Sequence, residues 1–188
     1  MANSASNVAA GKPKVGGAVY RAPKGTTAPT DATTALGSAF KCLGYCSEDG
    51  MTQGLKRESN EVKAWGGETV MTTQTSFGET FKVKLIEVLN VDVKKVVFGD
   101  SNVSGALATG ITTVVNSKEL PEGVWVVETV QNGAICRQVI PCGKVSEIGD
   151  ITYKDSDPIG YDITISALPD SSGNASYEYT ITDNSSSV

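Results

Sequence analysis

The sequence predicts a mainly β (α+β) fold: an antiparallel β sandwich or barrel with one short flanking α-helix at about 90–98 and an extended N-terminal arm. Three observations lead to this prediction. After Phe40, most of the chain alternates apolar and polar residues with the period of two that is typical of half-buried strands. Asn132-Gly133 joins two such runs and is the strongest short-range signal for a β-hairpin. The stretch EVLNVDVKKVVFG departs from alternation and places valines at helical spacing.

Composition indicates one domain and narrows the classes of function. With 188 residues and 39% apolar content, the chain can bury a single core, which we expect to span 39–182. Its 16 basic and 21 acidic residues give a formal charge of −5, which argues against a surface that binds nucleic acid phosphates. The chain has no histidine, so the commonest general base and metal ligand is missing. We therefore expect no enzyme, no catalytic residue, no cofactor and no metal site.

No stretch reaches the roughly 20 apolar residues of a membrane span, and the N-terminus lacks an apolar run of signal-peptide length. We therefore expect a protein that is made in a cytoplasm and has no membrane contact. In that compartment the four cysteines should remain thiols; they are Cys42, Cys46, Cys136 and Cys142. Their spacings differ from the C-x2-C of zinc ribbons, although a four-thiolate site and a disulfide between subunits remain alternatives.

The first element is the arm, residues 1–38. It is rich in Gly, Ala, Thr and Pro and has few large apolar groups, so we expect it to lie outside the core. A frayed terminus is the alternative, but Val19 and Tyr20 favour an arm that docks. Deletion of residues 1–38 should then leave a folded domain.

Two strands are predicted before the helix, at 68–75 and 80–89, and the alternation slips at Leu85-Ile86. WGGE at 65–68 predicts a tight turn or bulge with Trp65 buried. The acidic stretches SEDG (47–50) and YKDSDP (153–158) are typical of turns with solvated carboxylates rather than of paired catalytic acids.

The helix at about 90–98 has a start signal and a stop signal. Asn90 can act as the N-cap, Asp92 lies in the first turn, and Gly99 can adopt the left-handed conformation that ends a helix. Val93, Val96 and Val97 fall on one face, which we expect to pack on the sheet. A strand is the competing prediction, because valines favour strands.

The hairpin at 124–140 has a register that follows from its two-residue turn. The predicted pairs are Gln131–Ala134, Val130–Ile135, Thr129–Cys136, Glu128–Arg137, Val127–Gln138, Val126–Val139 and Trp125–Ile140. Apolar pairs occur on each face, so we expect both faces to be at least partly covered. A Glu–Arg cross-strand pair contributes about 0.2–1 kcal/mol and serves mainly to fix the register.

Two strands complete the chain, at 160–168 and 177–181, with the turn DSSGN (170–174) between them. Alternation in 160–168 places Tyr161, Ile163, Ile165 and Ala167 on a buried side. Residues 183–188 are predicted to form a polar tail.

Several long segments resemble one protein family in their wording and order. They are VYRAPKGTTAPTDATTAL (19–36), FKCLGYCSEDG (40–50), VKAWGGETVMTTQT (62–75), FKVKLIEVLNVDVKKVVFG (81–99) and GKVSEIGDITYKDSDPIGYDITISALPDSSGNASYEY (143–179). The chain is identified as a member of the tail tube proteins, or major tail proteins, of long non-contractile-tailed bacteriophages and related prophages.

The resemblance implies a structural virion protein of the phage tail. Six copies would close into a ring by sheet pairing, and stacked rings would form the hollow tube through which the genome enters the host. It implies assembly in the bacterial cytoplasm and several partners: other copies of the chain, the tape-measure protein, tail-tip or baseplate proteins and the tail terminator. Phage DNA would pass through the lumen without sequence recognition.

The resemblance also implies roles for two segments. Residues 1–38 would be an arm between rings, and residues 47–62 would be a long loop between rings. The assembly contacts it suggests are Val19, Tyr20, Pro23, Asp49, Met51, Leu55 and Arg57. Glu58, Glu61 and Glu68 would be acids that face the lumen, where negative charge would let DNA slide.

Two alternatives remain at this stage. One is the related tube protein of a contractile injection or type VI-like secretion system. The other is a stand-alone β-sandwich binding module, which is disfavoured because the loops contain Ser, Asp, Gly and Thr but few aromatic residues.

Overall fold

The computed structural model describes residues 3–182, and the predicted polar tail, 183–188, lies outside these residues. The fold is mainly β, as predicted. Its elements are β1 (Gly11–Pro13), β2 (Val19–Pro23), β3 (Lys41–Cys42), β4 (Cys46–Lys63), β5 (Thr69–Leu85), α1 (Val91–Phe98), β6 (Val103–Ala106), β7 (Gly110–Thr113), β8 (Gly123–Gln131), β9 (Ala134–Ile148), β10 (Tyr161–Leu168) and β11 (Tyr177–Thr182).

One antiparallel sheet contains nine of these strands. Its main order is β3-β2-β8-β9-β10-β5-β4, while β1 pairs with the end of β8 and β11 pairs with β9. β6 and β7 form a separate two-stranded sheet. Within the described residues no ladder joins β3 to β4, so the sheet is open and does not close into a barrel, which was one of the two forms that the sequence predicted.

The two ends of this sheet are nevertheless close along the chain. Only residues 43–45 separate β3 from β4. The Leu43 N–H donates to the Val19 carbonyl (2.9 Å), and the Ile86 N–H donates to the Tyr45 carbonyl (3.1 Å). The sheet therefore curls so that its two edge strands, β3 and β4, are joined by a three-residue connection. Because β3 has only two residues, it is too short to form a ladder with β4 that would close the sheet into a barrel.

The β8–β9 hairpin has the predicted register at all seven pairs. Asn132 (φ 47°) and Gly133 (φ 81°) both adopt positive φ, as a two-residue type I′ turn requires. Both faces of β8 are buried from Gly123 to Glu128, as expected from the apolar pairs on each side.

The core lies between one face of the sheet and the helix. It contains Trp125, Phe81 and Ile165 with the helix residues Val93, Val96 and Val97. The Trp125 indole N–H donates to the buried Gly143 carbonyl (3.1 Å), which satisfies the one polar group of this side chain. The Asn90 side chain accepts from the Asp92 N–H (3.0 Å), which confirms the predicted helix and its N-cap. The helix ends before Gly99, but the φ and ψ of Gly99 (99° and 140°) differ from the left-handed helical conformation that was expected there.

The C-terminal strands are also as predicted. The side chains of Tyr161, Ile163, Ile165 and Ala167 are buried on β10. The Asp170 carboxylate accepts from the N–H groups of Ser172 and Asn174 (2.8 and 3.0 Å), which forms the turn that leads to β11.

The segment before the helix differs from the prediction. The two strands predicted at 68–75 and 80–89 are the single strand β5, which ends where the alternation slips. The predicted loop at 47–62 is strand β4, with a bulge at 47–50, because Cys46 pairs with Leu85 and Met51 already pairs with Val83. Both errors arise because a strand that leaves the core loses its apolar alternation; β5 keeps several Thr and Val residues that favour strands, whereas residues 47–62 of β4 have one of each.

The prediction that residues 1–38 lie outside the core is wrong in part. β1 and β2 both pair with β8, and Val19, Ala22 and Ala32 are buried. Composition did not predict this role, because a few small apolar residues are enough to attach a segment to the sheet when they pair with the open edge of a strand.

Truncation of the arm tests this correction. Deletion of residues 1–38 should lower the free energy of unfolding by roughly 4 kcal/mol or more, because it removes the strand β2 and the burial of Val19. Deletion of residues 1–10 is the control and should change it by less than about 0.5 kcal/mol, since residues 3–10 are exposed. Urea unfolding measures both, and equal stability of the longer deletion and the full chain would contradict the assignment.

Candidate assembly surface

The outer parts of β4 and β5 project from the sheet as a two-stranded ribbon, which we define as residues 55–78. β10 pairs with β5 only between Glu79 and Leu85, so beyond this point the two strands pair only with each other in the described structure. Every residue of the ribbon is exposed. A two-stranded hairpin without a covering layer is marginally stable in water, so this shape indicates a surface that meets a partner.

The base of the ribbon is anchored by Glu79, a buried carboxylate. It accepts from the Gln53 side-chain amide (2.6 Å) and from the Ser176 hydroxyl (2.9 Å). The anchor joins the ribbon to the turn before β11, and its buried charge is stabilised by these two donors.

Apolar side chains are exposed along the ribbon. They are Leu55, Val62, Trp65, Val70, Met71 and Phe77. The Arg57 guanidinium lies 4.6 Å from the centroid of the Phe77 ring, and its Nη1 donates to the Gln74 side-chain oxygen (3.1 Å). Several large exposed apolar side chains on one projecting element are typical of a protein–protein contact.

The tip of the ribbon is a tight turn, as predicted, but Trp65 is fully exposed rather than buried. The Ala64 N–H donates to the Glu68 carbonyl (2.7 Å), and the Gly67 N–H donates to the Ala64 carbonyl (3.0 Å). Gly66 and Gly67 both have positive φ (120° and 94°), which only glycine adopts without strain. The turn leaves the Trp65 ring in solvent, with an exposed fraction of 107%.

The three acids expected in a lumen all lie on the ribbon, but they do not share one face. Glu58 pairs with Lys56 (2.7 Å), which with the Ser76 hydroxyl lowers the pKa of the Glu58 carboxyl. Glu61 accepts from the Thr69 hydroxyl (3.2 Å). Glu58 and Glu61 are an odd number of residues apart in one strand, so they point to opposite faces, and Glu68 lies in the tip.

The other predicted assembly residues are divided between two regions. Leu55 and Arg57 lie on the ribbon, and Asp49 lies in the bulge at its base, where its carboxylate accepts from the Ser47 hydroxyl (2.7 Å). Met51 is half-buried and packs on the core. The remaining three lie on β2, which is near the opposite end of the strand order: Val19 is buried in the chain's own core, Tyr20 is half-buried and Pro23 is exposed.

The arm is fixed to the sheet by a buried ion pair whose environment the sequence did not predict. The Arg137 guanidinium pairs with the Glu128 carboxylate, and both side chains are at most 2% exposed. Lys14 also pairs with Glu128 (2.8 Å), and Arg137 Nη1 donates to the Asp31 carbonyl (2.8 Å). The hairpin register predicted the pair, but the contacts from Lys14 and Asp31 are more than 100 residues distant along the chain, and no local signal reveals them.

The four cysteines are free thiols in the structure. Cys136 is buried and the other three are half-buried. Burial raises the pKa of the Cys46 thiol to about 11, with smaller contributions from the nearby charges of Cys42 and Glu87. Among residues 3–182, no group of three or more Cys, Asp or Glu side chains is arranged to hold a metal ion.

The helices within residues 3–182 include none with both the length and the apolar character needed to cross a membrane. A family model described as phage tail tube protein matches residues 1–188, which is the whole chain. The chain belongs to the phage tail tube protein family. A search of curated proteins finds no match to this chain.

The family match confirms the resemblance seen in the sequence and gives the exposed ribbon a context. A tail tube protein is a structural component of the phage tail and assembles into a tube with other tail proteins. Surfaces that are unpaired in one tail tube subunit are therefore candidates for contacts between copies.

The buried ion pair of this tail tube protein gives one prediction. Arg137→Met should lower the free energy of unfolding by about 3–5 kcal/mol, because it leaves the Glu128 carboxylate buried beside Lys14 alone. Glu128→Leu together with Arg137→Met should recover much of this loss, since no buried charge remains. Lys24→Met, which breaks the exposed pair with Glu122, is the control and should have little effect. Urea unfolding that shows Arg137→Met at wild-type stability would disprove the role of the pair.

The raised pKa of Cys46 gives another prediction. At pH 8 a thiol with a pKa of about 11 is about 0.1% thiolate, so Cys46 should react with iodoacetamide roughly a hundredfold more slowly than an ordinary exposed thiol. The rate should rise about tenfold for each pH unit between 8 and 10. Mass spectrometry of the labelled peptides measures this, and urea should make the four thiols equivalent. Equal Cys46 rates in native and unfolded protein would contradict the burial.

Proposed function

We propose that copies of this tail tube protein close into rings, six to a ring, and that the rings stack into the hollow tube through which the phage genome passes. The ribbon is the observation that supports this proposal. It is an ordered β structure with exposed apolar side chains and unpaired strand edges on both sides in the described chain. Such edges template pairing with another chain, and natural monomers normally protect them.

The position of the ribbon supports an assembly that closes. It extends from β4, the last strand in the sheet order, whereas β2 and β3 lie at the opposite end. A contact between the ribbon region of one copy and a different surface of the next is heterologous, and heterologous contacts give rings when the rotation closes. Leu55 and Arg57 on one side and Tyr20 and Pro23 on the other are the residues we propose for such contacts. Val19 is omitted because its own core covers it.

The N-terminal segment contributes to contacts between rings in this proposal, but only through its first part. Residues 3–10 are exposed, and Ser6 has one contact to the body, since its carbonyl accepts from the Asn132 side chain (2.9 Å). From Lys14 onward the segment is held by the ion pair, so we place the contact between rings before β1.

Negative charge in the lumen is a further part of the proposal. One face of the ribbon, with either Glu58 or Glu61, would border the lumen, because one straight surface cannot present both. The overall charge of −5 is consistent with a lumen that repels DNA phosphates and lets the genome slide.

The remaining parts of the proposal concern partners and place. The tape-measure protein would fill the lumen before infection, and tail-tip and terminator proteins would bind the two ends of the tube. Assembly would take place in the bacterial cytoplasm, on a long non-contractile tail. The role is structural rather than enzymatic.

Electron microscopy of the purified protein tests the proposal. Negative staining over a series of increasing concentrations should show rings of uniform size that stack into hollow tubes. Small particles of one size that persist even after addition of tail-tip complexes would contradict ring assembly and favour a stand-alone binding module.

A shortened ribbon provides the matched variant. Leu55 and Glu79 are paired directly, so Asn-Gly in place of residues 56–78 would close the hairpin with a two-residue turn. This variant should unfold at nearly the wild-type temperature, because all removed residues are exposed, and should remain monomeric where the full chain forms tubes. Normal tubes from the folded variant would show that the ribbon is not an assembly contact.

A further inference from the structure

A groove of about 320 Å³ lies between the arm and the helix, on a part of the molecule that the ribbon does not touch. Arg21 and Pro23 of β2 form one wall, and Lys95 and Val96 of α1 form the opposite wall. Lys41 of β3 and Ala39, which precedes β3, also line the groove. The buried Leu43 side chain also lines it, so the groove has an apolar floor and a charged rim. Its volume is near the lower end of the roughly 300–1,000 Å³ of small-ligand pockets, which suits one large side chain.

The cations of the groove are not equivalent. Both guanidinium nitrogens of Arg21 donate to the Asp100 carboxylate (2.9 and 3.1 Å), so this charge is already paired. Lys41 is exposed, and its ammonium donates to the Ser38 carbonyl (3.0 Å). Within residues 3–182 no carboxylate lies within 4 Å of the Lys41 ammonium, so one positive charge at the rim is available to a partner.

The ribbon tip has the complementary properties. Trp65 is fully exposed, so it does not occupy the groove of its own chain. From Lys56 to Lys63 the strand extends roughly 23 Å at 3.3 Å per residue, which places the tip well beyond the base of the ribbon. Glu68, three residues further in the turn, has no cation within 4 Å in the part of the chain described.

We propose that the groove binds the ribbon tip of a second copy of this chain, with the Trp65 side chain inserted between the arm and the helix. The inference rests on the proposed function, because stacked copies are what bring a tip to a groove. Lys41 would meet the Trp65 ring or the Glu68 carboxylate, since tryptophan is the aromatic residue that attracts cations most strongly. Tryptophan is also enriched among the few residues that dominate binding energy in protein contacts.

The arrangement of the two surfaces in one chain allows this contact to repeat from copy to copy. Tip and groove are different surfaces, so each copy can offer its tip to one neighbour while it receives the tip of another. A contact of this kind can repeat along a stack of copies, whereas a contact between two identical surfaces would end with a dimer. The position of the Pro23 side chain at the groove also explains how this predicted assembly residue, distant from the ribbon, could contact another copy.

Site-specific photocrosslinking tests the contact directly. A benzoylphenylalanine at position 65, in tubes assembled from a mixture of ¹⁴N- and ¹⁵N-labelled chains, should crosslink mainly to 21–23, 39–43 or 92–96 of another copy. Mass spectrometry identifies the peptides, and the isotope mixture separates contacts between copies from contacts within one chain. Crosslinks that lie mainly elsewhere would overturn the proposal.

Substitutions on both surfaces give a second test. Trp65→Ala should raise the concentration needed for assembly at least about tenfold without a change in unfolding temperature, because the side chain is exposed in the free subunit. Ala39→Trp, at an exposed position in the groove, should fill it and have a similar effect. The double variant should be no worse than the stronger single variant, because both changes remove the same contact.

The control is Tyr153→Ala, which removes an aromatic side chain that is also largely exposed (75%) from a loop of the body. It should leave the assembly threshold unchanged. An equal rise for Tyr153→Ala and Trp65→Ala would overturn the specific role of the tip.

The outcomes separate this contact from the proposed function. Normal tubes at the normal threshold from both Trp65→Ala and Ala39→Trp would overturn the contact and leave ring assembly standing. A wild-type chain that stays monomeric with tail-tip complexes would overturn the proposed function, and with it the contact. Lys41→Glu should weaken assembly, and restored assembly on addition of Glu68→Lys would support the pairing of these two charges.

Discussion

The hairpin of β8 and β9, buried on both faces, is the constraint on which the rest of the structure depends. Trp125 and Val127 face the cluster that includes the helix valines, while Val124 and Val126 face the other side. All other strands of the main sheet are connected to this hairpin by strand pairing, either directly or through one or two intervening strands. A slip of one residue would exchange the two buried faces, so the Asn132-Gly133 turn also determines where β2, β10 and β11 pair.

The same register places Glu128 opposite Arg137 on a buried face and thereby gives the arm its position. Two buried charges need further hydrogen bonds to offset the loss of water, and the arm supplies them through the Lys14 ammonium and the Asp31 carbonyl. The segment from Lys14 to Asp31 is therefore part of the domain, although its composition is that of a linker. The contribution of about 0.2–1 kcal/mol that is typical of an exposed cross-strand pair does not apply to Glu128 and Arg137, because both side chains are buried.

Features determined by neighbouring residues were predictable from the sequence. The hairpin turn, its register and the helix with its Asn90 cap follow from local chemistry, and all three agree with the structure. The ribbon, the burial of the arm and the open sheet were not predictable, because each depends on contacts between distant residues. Trp65 illustrates the reason. A tryptophan is normally buried to a large extent, but its burial requires another part of the chain to pack on it. The residues WGGE do not indicate that no such layer covers Trp65. The groove beside Lys41 likewise joins residues from the arm and α1.

The ribbon explains how one chain can be a folded domain and an incomplete surface at once. Near the core, β5 is stabilised by the burial of Phe81, Val83 and Leu85. In the ribbon, residues 55–78, fixing each backbone residue costs about 1–2 kcal/mol of conformational entropy, and no buried side chains offset this cost. Cross-strand contacts such as Arg57 over Phe77 hold the extended form and leave its apolar side chains uncovered. A partner therefore meets a surface that is already ordered, so binding loses less entropy than it would with an unstructured loop. Assembly of identical copies can cover the apolar side chains of every ribbon, because each copy has both a ribbon and a surface that can pack on the ribbon of another copy.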